Sequence, residues 1–516
     1  MQEFGVAATR VILLVLIAAG IGFRVVGLGW GIPSPLAPEA TSCRSSFHLD
    51  EDDYLWGVTR INARKCNFDV GDYHWGTLQF YLIAGSLEAG ERLGYLRRPW
   101  QDSFLKWNVD DFPRIYLVGR AVSALAGILS LLLVFKIGKL LKDFETGLTA
   151  AAFLAVAPFH VVSCHFLTAD VTMVFLLLAS IYFLLSSLER DGIKPRVAGG
   201  LLLGLAIATK YNAVCLLPLW AGCEVFQRGT PWKTRMAGYI AIVAGFALGE
   251  PYAFLHRSEI AEAVSRALTR SDAAAPFLLS WPRLFLEQGK ALGQYGLGWT
   301  LAVSALIGIF WWFVRPSRKK IALAAAIALI AASVIAAKWP MLRYTLPLIP
   351  IGALSAAMFI TDLPIRASRR VFVSLLVAAL PLSMSWAQVR ILMVEHTANQ
   401  ASHWIQENIP PGGRIGQIWR ELPPLDTLRF DVHLMHGLFA GDPAAPEDLN
   451  RQFLVLDDLP ILPFTREFND GLAQEYVLQA EFRSTPHVGP WLLDESGAPH
   501  DWKYTHPVVR IYVKER

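Results

Sequence analysis

The sequence predicts a polytopic α-helical membrane protein with a small α/β domain at its C-terminal end. Three observations carry that prediction. The 516 residues are 54% hydrophobic and only 17% charged, against about 25% charge in ordinary soluble domains. Apolar runs recur at fairly even spacing from Val11 to about Leu392, many of them near the ~18 residues that cross a bilayer. From Glu395 onward the material changes to polar, Pro-rich sequence with short strand-like runs.

The apolar runs predict about eleven transmembrane helices, at roughly 9–28, 115–136, 146–162, 169–188, 197–210, 212–227, 237–254, 296–314, 321–338, 344–361 and 371–392. The first reads as a retained span rather than a cleaved leader, because it is long and no A-x-A-like site follows it. Basic residues orient the set. Lys136, Lys139 and Lys142, then Arg190, Lys194 and Arg196, then Arg228, Lys233 and Arg235, then Arg315, Arg318, Lys319 and Lys320, and finally Arg366, Arg369 and Arg370 fall on alternate connections. The positive-inside rule makes those connections cytoplasmic, and the N-terminus with them. The loops 29–114 and 253–295 and the tail then lie outside.

Residues 1–394 form the expected membrane domain and 395–516 the extracytoplasmic α/β domain. In the tail, "NQASHWIQENIP" has helical period, whereas "QFLVLDDL", "EYVLQAEF" and "VVRIYVKER" read as strands. Loop 29–114 is far longer than a connection needs. Its stretch "WGTLQFYLIAGSLEAGERL" is apolar with helical period and predicts a helix lying along the membrane surface. Five cysteines are too few for a disulfide scaffold; only Cys43 and Cys66, outside the spans, are placed to pair on an oxidising side.

Charge inside or at the ends of such spans is costly and invites a functional reading. Asp50 and Glu51 open the acidic run in "FHLDEDDYLWG", Arg120 sits within the second span, Asp170 stands in "HFLTADVTMVF", Lys210 in "IATKYNAV" and Arg343 in "KWPMLRYTLPL". The orientation puts all of them near the outer side, as carboxylates facing cations. Asp52 and Asp53 read as solvated, with Asp53 capping a helix from Tyr54. Arg120 reads equally well as a ligand group or as the ion-pair partner of Asp170 or Glu51. Lys210 and Arg343 have an alternative as cations that merely snorkel to the interface. His48, His74, His160 and His165 gather on the same side without a metal-ligand spacing, which leaves a divalent metal open.

No G-x-x-x-x-G-K-[ST] and no strand-borne G-x-G-x-x-G occurs, and the cytoplasmic loops are too short for a nucleotide domain. An enzyme working on the outer face therefore needs an activated substrate delivered through the membrane. A lipid phosphate suits this, since Arg and Lys stabilise its developing charge and a carboxylate takes the proton from an incoming hydroxyl.

"FRVVGLGWGIPS" followed by "FHLDEDDYLWG" resembles the first span and first outer loop of the GT-C superfamily of lipid-dependent glycosyltransferases, in the branch of the protein O-mannosyltransferases and the bacterial aminoarabinose transferase. "YHWGTLQFYL", "LVGRAVSALAGIL", "GLAIATKYNAVCLLP", "RYTLPLIPIGAL" and "ANQASHWIQENIPPGGRI" continue the likeness in order, over roughly residues 20 to 415. Two departures stand out: Leu49 replaces a common proline before Asp50, and no proline follows Asp170. The resemblance implies a GT-C fold and inverting transfer of a hexosyl or pentosyl group from a polyprenyl phosphate to an acceptor hydroxyl on a protein, lipid or polysaccharide. It implies Asp50 and Glu51 as the catalytic pair, with Asp50 the general base or the acceptor-binding carboxylate and Glu51 holding the site together. Lys210, Arg343 and Arg120 would bind the donor phosphate, and Asp170, His48 and His165 would support the site. No nucleic-acid partner is expected. A secondary transporter or a non-catalytic scaffold of cell-envelope glycan assembly is the alternative. Charge gathered at one face and the lack of an internal repeat argue against transport.

Overall fold

The computed structural model describes residues 2–32, 46–97, 111–189, 192–225, 229–262, 280–419, 422–435, 438–439, 451–460 and 463–515. The proposed partner Cys43 lies outside them. A helical bundle is followed by a sheet domain. Helices α1 (Gln2–Val25), α4 (Phe112–Leu141), α5 (Phe144–Ala155), α6 (Pro158–Ser163), α7 (Ala169–Ser187), α8 (Ile193–Thr209), α9 (Leu217–Val225) and α10 (Trp232–Gly249) form its first part. Between α1 and α4 run α2 (Glu51–Arg60) and α3 (Leu78–Arg92). The second part holds α11 (Trp281–Ala291), α12 (Trp299–Val314), α13 (Arg318–Ala336), α14 (Leu348–Asp362) and α15 (Ala367–Leu392), and α16 (Thr397–Asn408) leads into the sheet.

Among the described residues, four helical segments are long and apolar enough to cross a membrane alone, at Phe112–Leu141, Ala169–Ser187, Arg318–Ala336 and Ala367–Asn408. The expected single span 146–162 is instead two helices. Pro158 has no N–H to give Leu154 and restricts Ala157 to extended backbone, so the helix breaks there. The freed carbonyls are taken up from elsewhere: Arg24 donates to Leu154 O at 2.8 Å and to Ala155 O at 2.9 Å, and the Ser385 hydroxyl to Val156 O at 2.9 Å. Arg24, a cation inside the first apolar run, is therefore structural. The expected span 212–227 likewise opens as a 3₁₀ turn, Tyr211–Leu216, before α9. The helix preceding α12 meets it at a 116° bend. Gly298 makes that bend with φ +78°, and a Cβ there would lie 3.1 Å from the Pro381 ring.

α5 and α14 are buried along almost their whole length, at 12 and 15 residues. With a rise of ~1.5 Å per residue they are shorter than a ~30 Å hydrocarbon core and form the bundle's centre. Outward faces stay apolar: on α12, Leu306, Phe310 and Phe313 are 65–68% exposed, as a lipid-facing surface requires. α8 and α10 touch backbone to backbone, because Gly200 and Gly204 stand four residues apart on one face of α8. A Cβ at Gly204 would fall 2.0 Å from Ile242 O. Gly204→Ala is expected to force the helices apart at a cost of about 1–3 kcal/mol, read as a lower unfolding temperature of the purified protein.

The C-terminal domain is a five-stranded mixed sheet ordered β2-β1-β3-β7-β4, from β1 (Arg414–Gln417), β2 (Asp431–Leu434), β3 (Phe453–Asp457), β4 (Tyr476–Phe482) and β7 (Val509–Lys514). β1 runs parallel to β2 and β3, and β7 antiparallel to β3 and β4. A two-stranded ribbon, β5 (His487–Val488) with β6 (Trp491–Leu492), precedes β7. The three strand-like runs and the helix expected in the tail are β3, β4, β7 and α16.

Candidate active site

The acidic run in "FHLDEDDYLWG" is the opening of α2. The helix begins at Glu51, not Tyr54, and Glu51, Asp52 and Asp53 occupy its first turn, where negative charge complements the helix dipole. Asp50 stands at the N-cap position, yet its carboxylate caps nothing. It turns away to pair with the Arg343 guanidinium, 293 residues distant in sequence. Both side chains keep some access to solvent, 21% for Asp50 and 19% for Arg343. Burial opposes ionisation of Asp50, but Arg343 and His48 overcome it and hold its pKa at about 2.

Glu51 faces inward with no exposed surface and is saturated. Arg120 grips it in a fork, Nε to Oε1 at 2.8 Å and Nη2 to Oε2 at 2.6 Å. The Ser46 hydroxyl adds a bond at 2.5 Å and the Leu167 amide one at 2.8 Å. Arg120 also donates through Nη1 to Leu28 O and Trp30 O, at 2.8 and 2.6 Å, and lies over the Trp30 ring. This clamp ties the segment after α1, the start of α2, α4 and the loop before α7 to one another. Arg120, expected at a donor phosphate, is fully buried and its forked face is spent on Glu51. Of the readings open to it in the sequence, the structure shows Arg120 as the ion-pair partner of Glu51, not of Asp170. Glu51, expected in the catalytic pair, is fully buried, and the same bonds occupy both of its oxygens.

Asp170 pairs instead with Lys210, Oδ1 to Nζ at 2.6 Å, with side chains only 7% and 11% exposed. Lys210 ends α8, where the chain turns into the 3₁₀ segment, and its ammonium lies 5.8 Å from the centre of the Tyr344 ring. Tyr344 neighbours Arg343 in the turn Leu342–Thr345. The two pairs feel each other: Lys210 stabilises ionised Asp50, and Asp170 stabilises charged Arg343. Two carboxylates and two cations therefore share one place at the sheet-domain end of the bundle.

The histidines have separate roles. His48 is buried between Phe166 and Tyr504, with ring centroids 4.4 and 4.6 Å away, and its Nδ1 accepts the Asp50 amide at 3.2 Å. His165 is buried with its ring nitrogens against Val161 O and Val26 O, at 3.0 and 2.9 Å, and so joins α6 to the segment after α1. His160 meets Arg24, and His74 is exposed beside Asp72. Among the described residues no three His, Cys, Asp or Glu side chains gather as a metal site. Asp52, expected to be merely solvated, accepts the Tyr116 hydroxyl. An open cavity of about 290 Å³ lies on the solvent stripe of α2, among Asp53, Trp56, Arg60, Tyr73 and His74. None of the four paired groups lines it.

Sequence reasoning missed two features. Glu250, fully buried at the end of α10, accepts the Tyr211 hydroxyl at 2.6 Å, next to Lys210 in the chain; an acid closing an apolar run was its visible signal. The other is the 3₁₀ turn His500–Thr505, which comes from the sheet domain and reaches the site. "HDWKYTH" has the composition of an ordinary polar loop, and only its density of rings marks it.

Residues 116–253 match the family model for dolichyl-phosphate-mannose-protein mannosyltransferases. No curated protein sequence matches the chain. Among solved structures, ArnT from Cupriavidus metallidurans in the apo state superposes over 98% of each chain at 13% identity with a TM-score of 0.53. The same protein bound to undecaprenyl phosphate gives 16% identity and a TM-score of 0.48 over 96% of this chain and 97% of that one. The oligosaccharyltransferase of Archaeoglobus fulgidus gives 14% identity and a TM-score of 0.48, over 86% of this chain and 68% of that one. Identities this low speak for the fold and leave the chemistry to the site.

Proposed function

We propose that this chain, whose fold is that of the GT-C glycosyltransferases, moves a hexosyl or pentosyl group from a polyprenyl-phosphate donor to an acceptor hydroxyl with inversion. The observation that carries this reading is the meeting of Asp50 and Arg343, still partly open to solvent, beside the Lys210–Asp170 pair. A carboxylate and two cations in one place are the groups that such a transfer needs. A neighbour in fold, ArnT, is recorded with undecaprenyl phosphate, which favours a lipid-linked donor.

In the step, the acceptor oxygen gives its proton to the Asp50 carboxylate and forms a bond to the anomeric carbon. The bond from that carbon to the donor phosphate breaks, and polyprenyl phosphate leaves with the electron pair. Arg343 and Lys210 hold the charge that grows on its oxygens, strongest where water is displaced. Arg343 has a second task. Paired to it, Asp50 is too weak a base to be useful. A donor phosphate competes for the guanidinium, and Asp50 gains basicity at the moment the sugar is in place. Asp170 keeps Lys210 aimed, and the Glu51–Arg120 clamp keeps α2 in register.

The same reading puts about eleven spans in a prokaryotic plasma membrane, the N-terminus in the cytoplasm, and Asp50 and the sheet domain outside. The alternation of basic connections supports it. The test is purified protein in liposomes given a panel of labelled polyprenyl-phosphate sugars with a native membrane extract as acceptor source. Release of free polyprenyl phosphate from one donor is expected. If every donor stays intact, the transferase reading fails and transport moves to the front.

A further inference from the structure

The step above uses groups of the bundle alone, yet a turn of the C-terminal domain closes on the same place. Asp501 is 1% exposed, and both its oxygens accept main-chain N–H groups of the turn Leu342–Thr345. Oδ1 takes the Leu342 amide at 3.0 Å, and Oδ2 the Arg343 amide at 2.7 Å. Three residues on, the Tyr504 ring packs against His48, whose Nδ1 holds the Asp50 amide. One turn therefore braces both members of the Asp50–Arg343 pair from behind.

That turn is itself fixed from several sides. Trp502, 1% exposed, lies against Tyr295 with centroids 5.1 Å apart, and its Nε1 donates to Glu495 at 2.6 Å. Lys503 pairs with Asp458 at 2.9 Å, and the Thr505 hydroxyl meets Gln388 of α15 at 3.3 Å. A carboxylate on two backbone amides has a bland reading, as a peg that docks one domain on another. A peg is free to sit on any turn, but this one sits on the residue that carries the cation. The guanidinium is long and mobile by nature, and fixing its main chain is what limits where it can reach.

Resting on the transferase reading, we propose that Asp501 is a positioning residue for Arg343, so that the C-terminal domain completes the transfer site rather than merely covering it. Asp501 touches no reacting atom; it acts through the Arg343 backbone.

The test uses the full chain and has two arms. In the first, hydrogen–deuterium exchange is followed in a peptide spanning 340–346. Asp501→Ala is expected to speed exchange at Leu342 and Arg343 by about tenfold or more, the loss of a net hydrogen bond at each, with β3 and β7 unchanged. Unchanged exchange at those two amides overturns the proposal. In the second, a double-mutant cycle with Arg343→Ala reads the release of polyprenyl phosphate. Asp501→Asn, the milder change, is expected to lower kcat by about 10- to 100-fold with little change in KM, and to cost nothing further once Arg343 is gone. Losses that multiply in the double variant also overturn it. If the wild-type protein turns over no donor, the transferase reading fails and the role in transfer fails with it, while the exchange arm still shows whether Asp501 holds the Arg343 main chain.

Discussion

Asp50→Asn is expected to lower the release of polyprenyl phosphate by about 10²–10⁴-fold, the usual worth of a positioned proton acceptor, and to leave the protein folded. Asparagine fills the same space and still accepts a hydrogen bond, but it takes no proton. Little stability is at stake, because the Asp50–Arg343 pair is partly solvated and such pairs contribute about 0–1 kcal/mol. Retained activity in Asp50→Asn, with an unchanged unfolding temperature, would remove Asp50 from the chemistry. The pH profile adds a sign. Asp50 is ionised above its depressed pKa of about 2, so the free enzyme loses its base only in strong acid. Arg343→Ala removes the guanidinium and leaves the desolvation that favours the neutral acid. The acid limb of kcat/KM in that variant is therefore expected to move to higher pH, whatever its residual rate.

Glu51→Gln is expected to act on the fold instead. It removes one partner of a pair with no exposed surface and leaves the Arg120 guanidinium buried and uncompensated, a loss of about 3–5 kcal/mol. The readout is the unfolding temperature or the yield of folded protein in detergent. Replacing both residues by apolar ones, Glu51→Leu with Arg120→Met, is expected to cost less than Glu51→Gln alone, since no unpaired charge remains. The same logic sets a pH window. Glu51 has its pKa lowered: desolvation opposes its ionisation, but Arg120, His48 and Ser46 outweigh it. Its contribution is present above the usual carboxylate range and is lost as pH falls through the depressed folded value.

The two variants divide the acidic cluster that drew attention in the sequence, with chemistry on the first residue and architecture on the second. The sequence made the site's members legible and its pairings much less so. Asp50, Glu51, Asp170, Lys210 and Arg343 stand out because an ionised group at the end of an apolar helix needs a reason. Which cation meets which acid depends on how helices far apart in sequence are registered, and hydropathy is silent on that. Arg120 shows the limit most plainly: a cation in a span looks the same whether it waits for a ligand or is already saturated by Glu51 and two carbonyls. The helices themselves were legible as apolar runs, but their breaks were not. Pro158 was in view, whereas the Arg24 side chain that makes its break tolerable comes from another helix. The turn 500–505 escaped notice because nothing in a polar loop's composition says where it docks.

The place of β7 in the sheet has a consequence for biosynthesis. β7 lies between β3 and β4 although it is made after both, so the sheet cannot close until residues 509–514 have left the ribosome. The turn that grips Arg343 immediately precedes it. Every helix of the bundle precedes that turn in the chain, so the Asp501 bonds to the Leu342 and Arg343 amides are added to a bundle whose helices are already made. A chain cut short before His500 would keep these carboxylates and cations but lack the Asp501 bonds to the Leu342 and Arg343 amides. On the transferase reading proposed above, the bracing of Arg343 is therefore a late event, which waits for β7 rather than for the last helix of the bundle.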